Sequence, residues 1–183
     1  SVFSFIDPIK LALYGITMTN VSSFDDNNWT VANLDMGDIL IERLVMTDCN
    51  INTNPAFLLS GMTNKMRVAD SSFNNMKVHK NSAIFEIGLL ATFEFENCNF
   101  TKIEGYNTES VNNYAINIKS IGLESTEISY FKNSYFSQCN VGCFQIGSET
   151  NSNAPSKFFE IENIHFRDCY FENEANMVRI GEI

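Results

Sequence analysis

The sequence predicts an all-β protein in which about six to seven rungs, each with three short strands, coil into a parallel solenoid. Three observations lead to this prediction: a short frame recurs along the chain, a second motif follows each copy, and apolar residues alternate within both. We find no long stretch with the 3.6-residue period of a helix in the 183 residues.

The recurring frame is centred on an Asn or Asp. In FEFENCNF the anchor is Asn97, with phenylalanines two and four places before it and a small residue, Cys98, after it. Asn and Asp suit a sharp bend because they tolerate left-handed backbone, and their side chains can bond to the next turn. Six copies share the frame, and their anchors are predicted to stack as one turn ladder: Asn20, Asp48, Asp70, Asn97, Asn133 and Asp168.

A second motif, in which two apolar residues flank a variable one, follows each copy. Each repeat therefore predicts two strands hinged at the anchor, a turn, and a third strand. Such short strands cannot bury a face alone, but turns stacked about 4.8 Å apart build a continuous interior. The motif occurs at 34–36, 57–59, 85–87, 116–118, 144–146 and 178–180.

Charge and hydropathy limit the partners. The formal net charge is -10, with 12 basic against 22 acidic residues, which argues against a nucleic-acid partner because phosphate binding needs a basic face. No apolar run approaches the ~18 residues that span a bilayer, so no membrane span is predicted in this chain. Opposite charges are expected on neighbouring rungs, with Arg67 beside Glu94 and Glu96 beside Lys132.

The chain begins and ends inside the repeat pattern, and no amphipathic helix caps either end. An uncapped solenoid presents an open row of backbone donors and acceptors. Residues 1–183 are therefore expected to form a single β-helix segment that belongs to a longer solenoid or to an end-to-end assembly. The expected partners are other copies, or other segments of the same solenoid.

The repeats closely resemble those of right-handed parallel β-helix proteins of the pectin-lyase-like type. Copies such as NCNFTKIEG and DCYFENEANMVRI also resemble the Asn-rich and Phe-rich repeats of large surface proteins of ciliates and of bacterial autotransporter-like proteins. The resemblance covers essentially the whole chain and implies a right-handed coil. It says little about function, because this fold carries lyases, hydrolases, adhesins and inert stalks.

In enzymes of that superfamily the catalytic groove lies over the third-strand sheet, so the resemblance places any carbohydrate site there. Uronate cleavage needs clustered carboxylates and calcium, and hydrolysis needs paired carboxylates. Leu58 separates Asp35 from Glu86 in the outward row, and the familiar hydrolase signatures are absent, so no catalytic residue is predicted. The candidate groove, flanked by insertions at 102–113 and 148–156, consists of Glu86, Asn117, Gln145 and Arg179.

The cysteines are predicted to be structural. Cys49, Cys98 and Cys169 occupy one position of the frame in copies two, four and six. Neighbours would then lie ~9.6 Å apart, beyond the ~7 Å limit for a disulfide, so buried free thiols are expected. Cys139 and Cys143, four residues apart across a turn, could form a disulfide. No C-x-x-C motif occurs, and we expect no metal site and no cofactor.

Three N-glycosylation sequons begin at Asn20, Asn28 and Asn99. Asn28 lies in a polar loop and is the best acceptor, Asn99 faces outward, and Asn20 is also a ladder residue. Together with the acidic charge and the fold, the sequons favour an extracellular or cell-surface location.

Two functions remain open. The first is a structural or adhesive module, a rigid rod or fibre that displays loops for partner contact. The alternative is a polysaccharide-binding or -degrading enzyme of the pectin-lyase-like type, with glycans as partners of the candidate groove. Loss of uronate cleavage in Glu86→Gln would support the enzyme, and an absence of turnover on acidic and neutral glycans would exclude it.

Overall fold

The computed structural model describes residues 3–5, 9–22, 31–34, 37–52, 54–79, 82–106, 114–121, 128–147, 159–170 and 177–181. Within these residues the chain forms sixteen β-strands and no helix, and the strands pair in parallel as a β-solenoid. The strands are β1 (Phe3–Phe5), β2 (Ile9–Tyr14), β3 (Thr17–Thr19), β4 (Ala32–Leu34), β5 (Gly37–Glu42), β6 (Val45–Thr47), β7 (Asn50–Ile51), β8 (Phe57–Ala69), β9 (Ser72–His79), β10 (Phe85–Glu96), β11 (Asn99–Tyr106), β12 (Tyr114–Ile121), β13 (Ser129–Ser137), β14 (Gly142–Gly147), β15 (Phe159–Arg167) and β16 (Val178–Gly181).

Face A of the solenoid contains the predicted third strands. It stacks β1, β4, the start of β8, the start of β10, β12, β14 and β16 in that order. The motif at 57–59 and every later copy pair in the predicted register. In the preceding turn the prediction is wrong by two residues, because Ala32 and Leu34 pair with Phe57 and Leu59. Asn33, rather than Asp35, is therefore the neighbour of Leu58.

Face B carries the longer strands that follow. It stacks β2, β5, the later part of β8, the later part of β10, the start of β13 and the start of β15. Alternate residues point inward, as the alternating burial of β5 shows. One inward column consists of Leu13, Ile41, Val68, Phe95, Phe131 and Ile161.

Each turn then bends twice, at two corners five residues apart, and both corner residues have positive φ. The four residues between the corners form face C, which stacks β3, β6, the starts of β9 and β11, and the ends of β13 and β15. The first corners are Gly15, Arg43, Asp70, Asn97, Asn133 and Asn163. The second corners are Asn20, Asp48, Asn75, Lys102, Gln138 and Asp168.

The predicted single turn ladder is therefore two ladders. All six predicted anchors have left-handed backbone, with φ between 50° and 56°. However, Asp70, Asn97 and Asn133 lie at the first corner, whereas Asn20, Asp48 and Asp168 lie at the second. Asp48 is the neighbour of Asn75, and Asn133 is the neighbour of Asn163, as the pairing of the adjoining strands shows. Inward residues flank both corners, so one sequence frame fits either.

Stacked apolar side chains fill the interior. About four turns are covered on both sides, and their inward side chains are buried. The rings of Phe73 and Phe100 stack with centroids 4.8 Å apart, and those of Phe100 and Phe136 stack at 4.7 Å. These distances equal the spacing of hydrogen-bonded strands, so each ring lies directly over the one below it. Burying a phenylalanine side chain contributes about 1.5–3 kcal/mol.

Candidate functional sites

The candidate groove residues form a continuous row on face A. Glu86 pairs with Asn117, Asn117 with Gln145, and Gln145 with Arg179 across successive strands. Phe85 and Ile87, which flank Glu86, are fully buried, so the row faces away from the interior. The predicted register of this row is confirmed from Leu58 onward, and its binding role stays a prediction.

The row is a ladder of amides with one ion pair. Glu86 Oε1 lies 2.6 Å from Lys119 Nζ, and Gln145 Nε2 donates to Asn117 Oδ1 at 3.3 Å. Gln145 is only 4% exposed, and its Oε1 has no hydrogen-bond partner among the described residues. Within this described part of the chain, no group of three or more His, Cys, Asp and Glu side chains could hold a metal ion.

The outward surface of face B carries paired charges around a depression of about 480 Å³. Lys65 Nζ lies 2.7 Å from Glu94 Oε1, and Arg67 Nη2 lies 3.5 Å from Glu96 Oε2. Arg67 also pairs in register with Glu94, as predicted. Such partly exposed pairs contribute about 0.2–1 kcal/mol each and favour the correct register. These cations are therefore paired with carboxylates of the same sheet.

The predicted Glu96–Lys132 neighbours are confirmed as in-register partners on β10 and β13. The ammonium of Lys132, however, pairs with carboxylates of the following turn. Its Nζ lies 2.6 Å from Glu160 Oε2 and 3.5 Å from Glu162 Oε2, on β15. Charge pairing thus extends up face B as far as β15.

Side-chain hydrogen bonds connect the corners of successive turns. Asn97 Nδ2 donates to Asp70 Oδ1 at 3.0 Å, and Asn163 Nδ2 donates to Asn133 Oδ1 at 3.0 Å. At the second corner, Asn75 Nδ2 donates to Asp48 Oδ1. In each case the amide of the later turn donates to an oxygen of the earlier turn. All three bonds therefore run in the same direction along the solenoid, from the later turn to the earlier one.

Small polar residues that follow the first corner satisfy buried backbone groups. Ser134 Oγ accepts the Cys98 N–H at 3.1 Å and donates to the Lys132 carbonyl at 2.9 Å. Ser71 Oγ makes the same pair of bonds with Leu44 N–H and the Ala69 carbonyl. An unpaired buried N–H would cost about 1–3 kcal/mol. The sequence frame shows only that a small residue is needed here, and it does not reveal this bonding.

The cysteines lie in a different arrangement from the predicted one. All five thiols are free, including Cys139 and Cys143, between which a disulfide was considered. The prediction that Cys49, Cys98 and Cys169 share one column is wrong, because Cys98 follows a first corner and the other two follow second corners. Cys49 and Cys98 are buried as expected, whereas Cys169 is partly exposed.

Burial controls the ionisation of these thiols. Loss of hydration raises the pKa of Cys98 to about 12, and the same cause raises the pKa of Cys139 to about 12. Burial also raises the pKa of Cys49 and, more strongly, that of Cys143. The thiolate is the nucleophilic form of cysteine, so at neutral pH these four buried thiols react slowly with reagents dissolved in the solvent.

The asparagines of two of the three sequons lie among the described residues. Asn20 and Asn99 are both exposed, at a second corner and on β11 respectively. Asn28 lies outside the described residues. Glycosylation at all three positions stays a prediction.

The last described turn leaves one side of the apolar interior uncovered. Ile161, Phe166 and Ile180 are 45%, 36% and 46% exposed. Their neighbours one turn earlier, Phe131 and Phe136, are fully buried. We call this surface, formed by Ile161, Phe166 and Ile180, the open end.

No family model, curated protein or solved structure matches the chain. The resemblance to pectin-lyase-like and ciliate surface proteins therefore gains no support from comparison. No helix in the described part of the chain is long and apolar enough to cross a membrane.

Proposed function

We propose that the chain is a structural or adhesive module of an extracellular or cell-surface rod or fibre, and that its loops are displayed for partner contact. The observation that carries this proposal is the open end. The stacked interior runs through the described turns, and at the last of them its apolar side chains are exposed to solvent. Exposed apolar residues arranged together at one surface are typical of an interaction site.

The partner that fits this surface is a second copy of the chain, stacked in the same register. The inward column that contains Phe136 and Phe166 begins at Met18, which is only partly buried. A second copy would place its Met18 over Phe166, and a thioether packs well on an aromatic ring. One edge of β15 pairs with no strand that the structure describes, and this edge would gain backbone hydrogen bonds at the same time.

The corner ladder supports the same register. Inside the chain, the amide of Asn75 donates to the carboxylate of Asp48 one turn below it. The second-corner column ends at Asp168 and starts at Asn20, and both side chains are exposed. Stacking two copies would set Asn20 over Asp168, which repeats the donor and acceptor types of the internal bond.

Charges at the two ends are also complementary. Glu160 is exposed on β15 of the open end. In the stacked register it would face Ala12, two residues beyond Lys10. This is the diagonal spacing that joins Lys65 to Glu94 within the chain, at 2.7 Å. Lys10 Nζ lies 3.5 Å from Asp38 Oδ2, and the lysine side chain is 89% exposed, so its ammonium is still accessible to a second copy.

Sedimentation velocity over a range of protein concentrations tests the proposal. We expect the wild-type chain to form larger species as concentration rises, and Phe166→Glu to remain monomeric because a carboxylate cannot be buried unpaired. Asn99→Glu is the matched control, since it adds the same charge to the exposed side wall of β11. A monomeric wild type, or equal loss of association in both variants, would contradict the proposal.

The polysaccharide alternative has one observation in its favour, the buried and unpartnered Oε1 of Gln145 in the candidate groove. Glu86, the carboxylate of the row, is held by Lys119 at 2.6 Å. Calorimetric titration with uronate and neutral oligosaccharides tests this function. Binding that is lost in Gln145→Ala would support it, and no heat of binding would contradict it.

A further inference from the structure

Three cysteines, Cys139, Cys143 and Cys169, lie near one another in the last described turns. Cys139 and Cys169 lie on adjacent turns at the same corner, because Ser137 pairs in register with Arg167 two residues earlier. The N–H of Tyr170 donates to the carbonyl of Cys139 at 2.9 Å, which holds the two backbones side by side. Cys139 Sγ lies 3.6 Å from the Phe100 carbonyl and Cys169 Sγ lies 3.5 Å from the Phe136 carbonyl, each one turn below, so the two thiols point the same way on successive turns. Both thiols also act electrostatically on Cys143.

The spacing of Cys139 and Cys169 suits a disulfide. Paired strands lie about 4.7–4.9 Å apart, within the Cα separation of about 4.4–6.8 Å found in disulfides. A small approach of the two β-carbons completes the geometry. Cys169 is itself partly exposed, unlike the buried Cys139 below it.

Of the three cysteine side chains, only one is exposed enough to meet a dissolved oxidant. Cys139 and Cys143 are 2% and 0% exposed, whereas Cys169 is partly exposed beside the open end. Burial raises the pKa of Cys139 to about 12, so an external reagent meets a protonated and hidden thiol there. Any reaction with a dissolved oxidant must therefore begin at Cys169.

We propose that Cys169 is a modification site for low-molecular-weight disulfides, such as oxidised glutathione, and that it then closes a disulfide with Cys139. The Cys169 thiolate attacks one sulfur of oxidised glutathione, which forms a mixed disulfide and releases one glutathione thiolate. Cys139 then loses its proton and attacks the Cys169 sulfur, which releases the second glutathione thiolate. Both released thiolates take up the protons that the two cysteines lost. Two protein thiols are oxidised, and one glutathione disulfide is reduced to two thiols.

The bond would fasten the open end to the turn beneath it. The strands that carry the two cysteines pair along β13 and β15, and β15 has most of its side chains exposed. A covalent link at the corner restricts local opening of this last turn. Slower amide hydrogen exchange along β15 is therefore expected after oxidation, with exchange in β9 unchanged.

The experiment is peptide mapping after oxidation. The folded chain, kept dilute so that it is monomeric, is incubated with oxidised glutathione, alkylated, digested and analysed by mass spectrometry. We expect a peptide pair linked through Cys139 and Cys169, and no linked peptide in Cys169→Ser. The matched control Cys143→Ser should keep the link, because Cys143 takes no part in it. Circular dichroism of each variant verifies that it is folded.

Several results would overturn the proposal. A link between Cys139 and Cys143, or between Cys143 and Cys169, would show that the pairing is wrong. A stable glutathione adduct on Cys169 would show that the second attack does not occur. Failure of Cys169 to react, in a chain whose Cys49 and Cys98 also stay unmodified until unfolding, would show that the site is closed to the reagent.

Discussion

Single side chains at the corners determine how each turn closes. Asn97 has φ of 54°, a conformation that costs most residues about 1–2 kcal/mol but that Asn and Gly tolerate. Its amide also bonds to Asp70 at 3.0 Å. Backbone tolerance and a ladder bond are thus combined in one residue, and substitutions can separate them.

Replacing Asn97 tests both contributions. Asn97→Gly loses only the ladder bond, about 0.5–1.5 kcal/mol. Asn97→Val also forces a β-branched residue into left-handed backbone, so we expect a further loss of about 1–2 kcal/mol in the free energy of unfolding. Urea denaturation measures both values. The exposed neighbour Asn99→Val should change stability by less than about 0.5 kcal/mol. Equal costs for Gly and Val would show that the corner backbone is not strained.

The buried thiol of Cys98 predicts a specific sensitivity to alkali. Burial raises its pKa from 9.0 to about 12, so the unfolded chain releases this proton at a lower pH than the folded chain does. The stabilisation is complete below pH 9.0 and is lost as the pH rises towards about 12. Within that window we expect a loss of about 1.4 kcal/mol per pH unit from this group.

Cys98→Ser isolates the effect, because the neighbouring turns already carry Ser71 and Ser134 at this position. The two proteins should have similar stability at pH 7 and should diverge above pH 9, with the wild type falling faster. Other alkaline titrations are common to both proteins and cancel. Parallel stability curves from pH 8 to 11 would contradict the assignment.

The phenylalanine column of face C shows how the position of a side chain along the solenoid determines its contribution to stability. Phe73, Phe100 and Phe136 are fully buried, whereas Phe166 at the open end is 36% exposed. Phe136 and Phe166 stack at 5.5 Å, so Phe166 has a ring below it in the column. The four phenylalanines therefore have similar surroundings, except that Phe166 is exposed where the other three are covered by the next turn.

Truncation at two positions of this column should give different costs. Phe100→Ala leaves a cavity between two rings, and we expect a loss of about 3–5 kcal/mol in the free energy of unfolding. Phe166→Ala removes a ring that is already partly hydrated, and we expect less than half of that loss in the monomer. Chemical denaturation of both variants at low protein concentration makes the comparison. Equal losses would mean that the open end is covered in solution.

The elements also show what a sequence can predict. The apolar motif predicts face A correctly from 57–59 onward, because each copy offers one register. In the preceding turn Ala32, Leu34 and Met36 alternate over five residues, so two registers fit and the wrong one was predicted. The prediction of the corners fails for the same reason. Inward residues flank both bends of each turn, so the frame fits either bend.

The candidate sites depend on information that no motif contains. The Glu86 row follows from the register of face A and was therefore predictable. The thiol cluster was not, because it depends on Asn163, rather than Asp168, forming the first corner above Asn133. Which residue forms the first corner depends on the number of residues between successive turns. The sequence frame fits both corners and therefore does not identify that residue.

At the scale of the whole molecule, a strongly acidic surface encloses a continuous apolar interior. The net charge of -10 repels a second copy, and the proposed apolar contact at the open end would have to overcome that repulsion. Screening shortens the reach of the repulsion, from about 30 Å in 0.01 M salt to about 10 Å in 0.1 M salt. The balance between the two therefore depends on ionic strength.

Association should accordingly strengthen as sodium chloride is raised from about 0.01 to 0.15 M. Hydrophobic contact at the open end is little affected by salt in this range, whereas the long-range repulsion falls. Light scattering across the series measures the average mass. A decrease in mass with added salt would mean that ion pairs such as Lys10 with Glu160 dominate the joint.

Negative-stain electron microscopy of the purified chain tests the central claim most directly. Seven strands stack on face A among the described residues, and this stack should measure about 30 Å along the solenoid axis. We predict rods of constant width and many times that length, and short single particles for Phe166→Glu. Discrete short particles of the wild-type chain at every concentration would contradict an end-to-end rod.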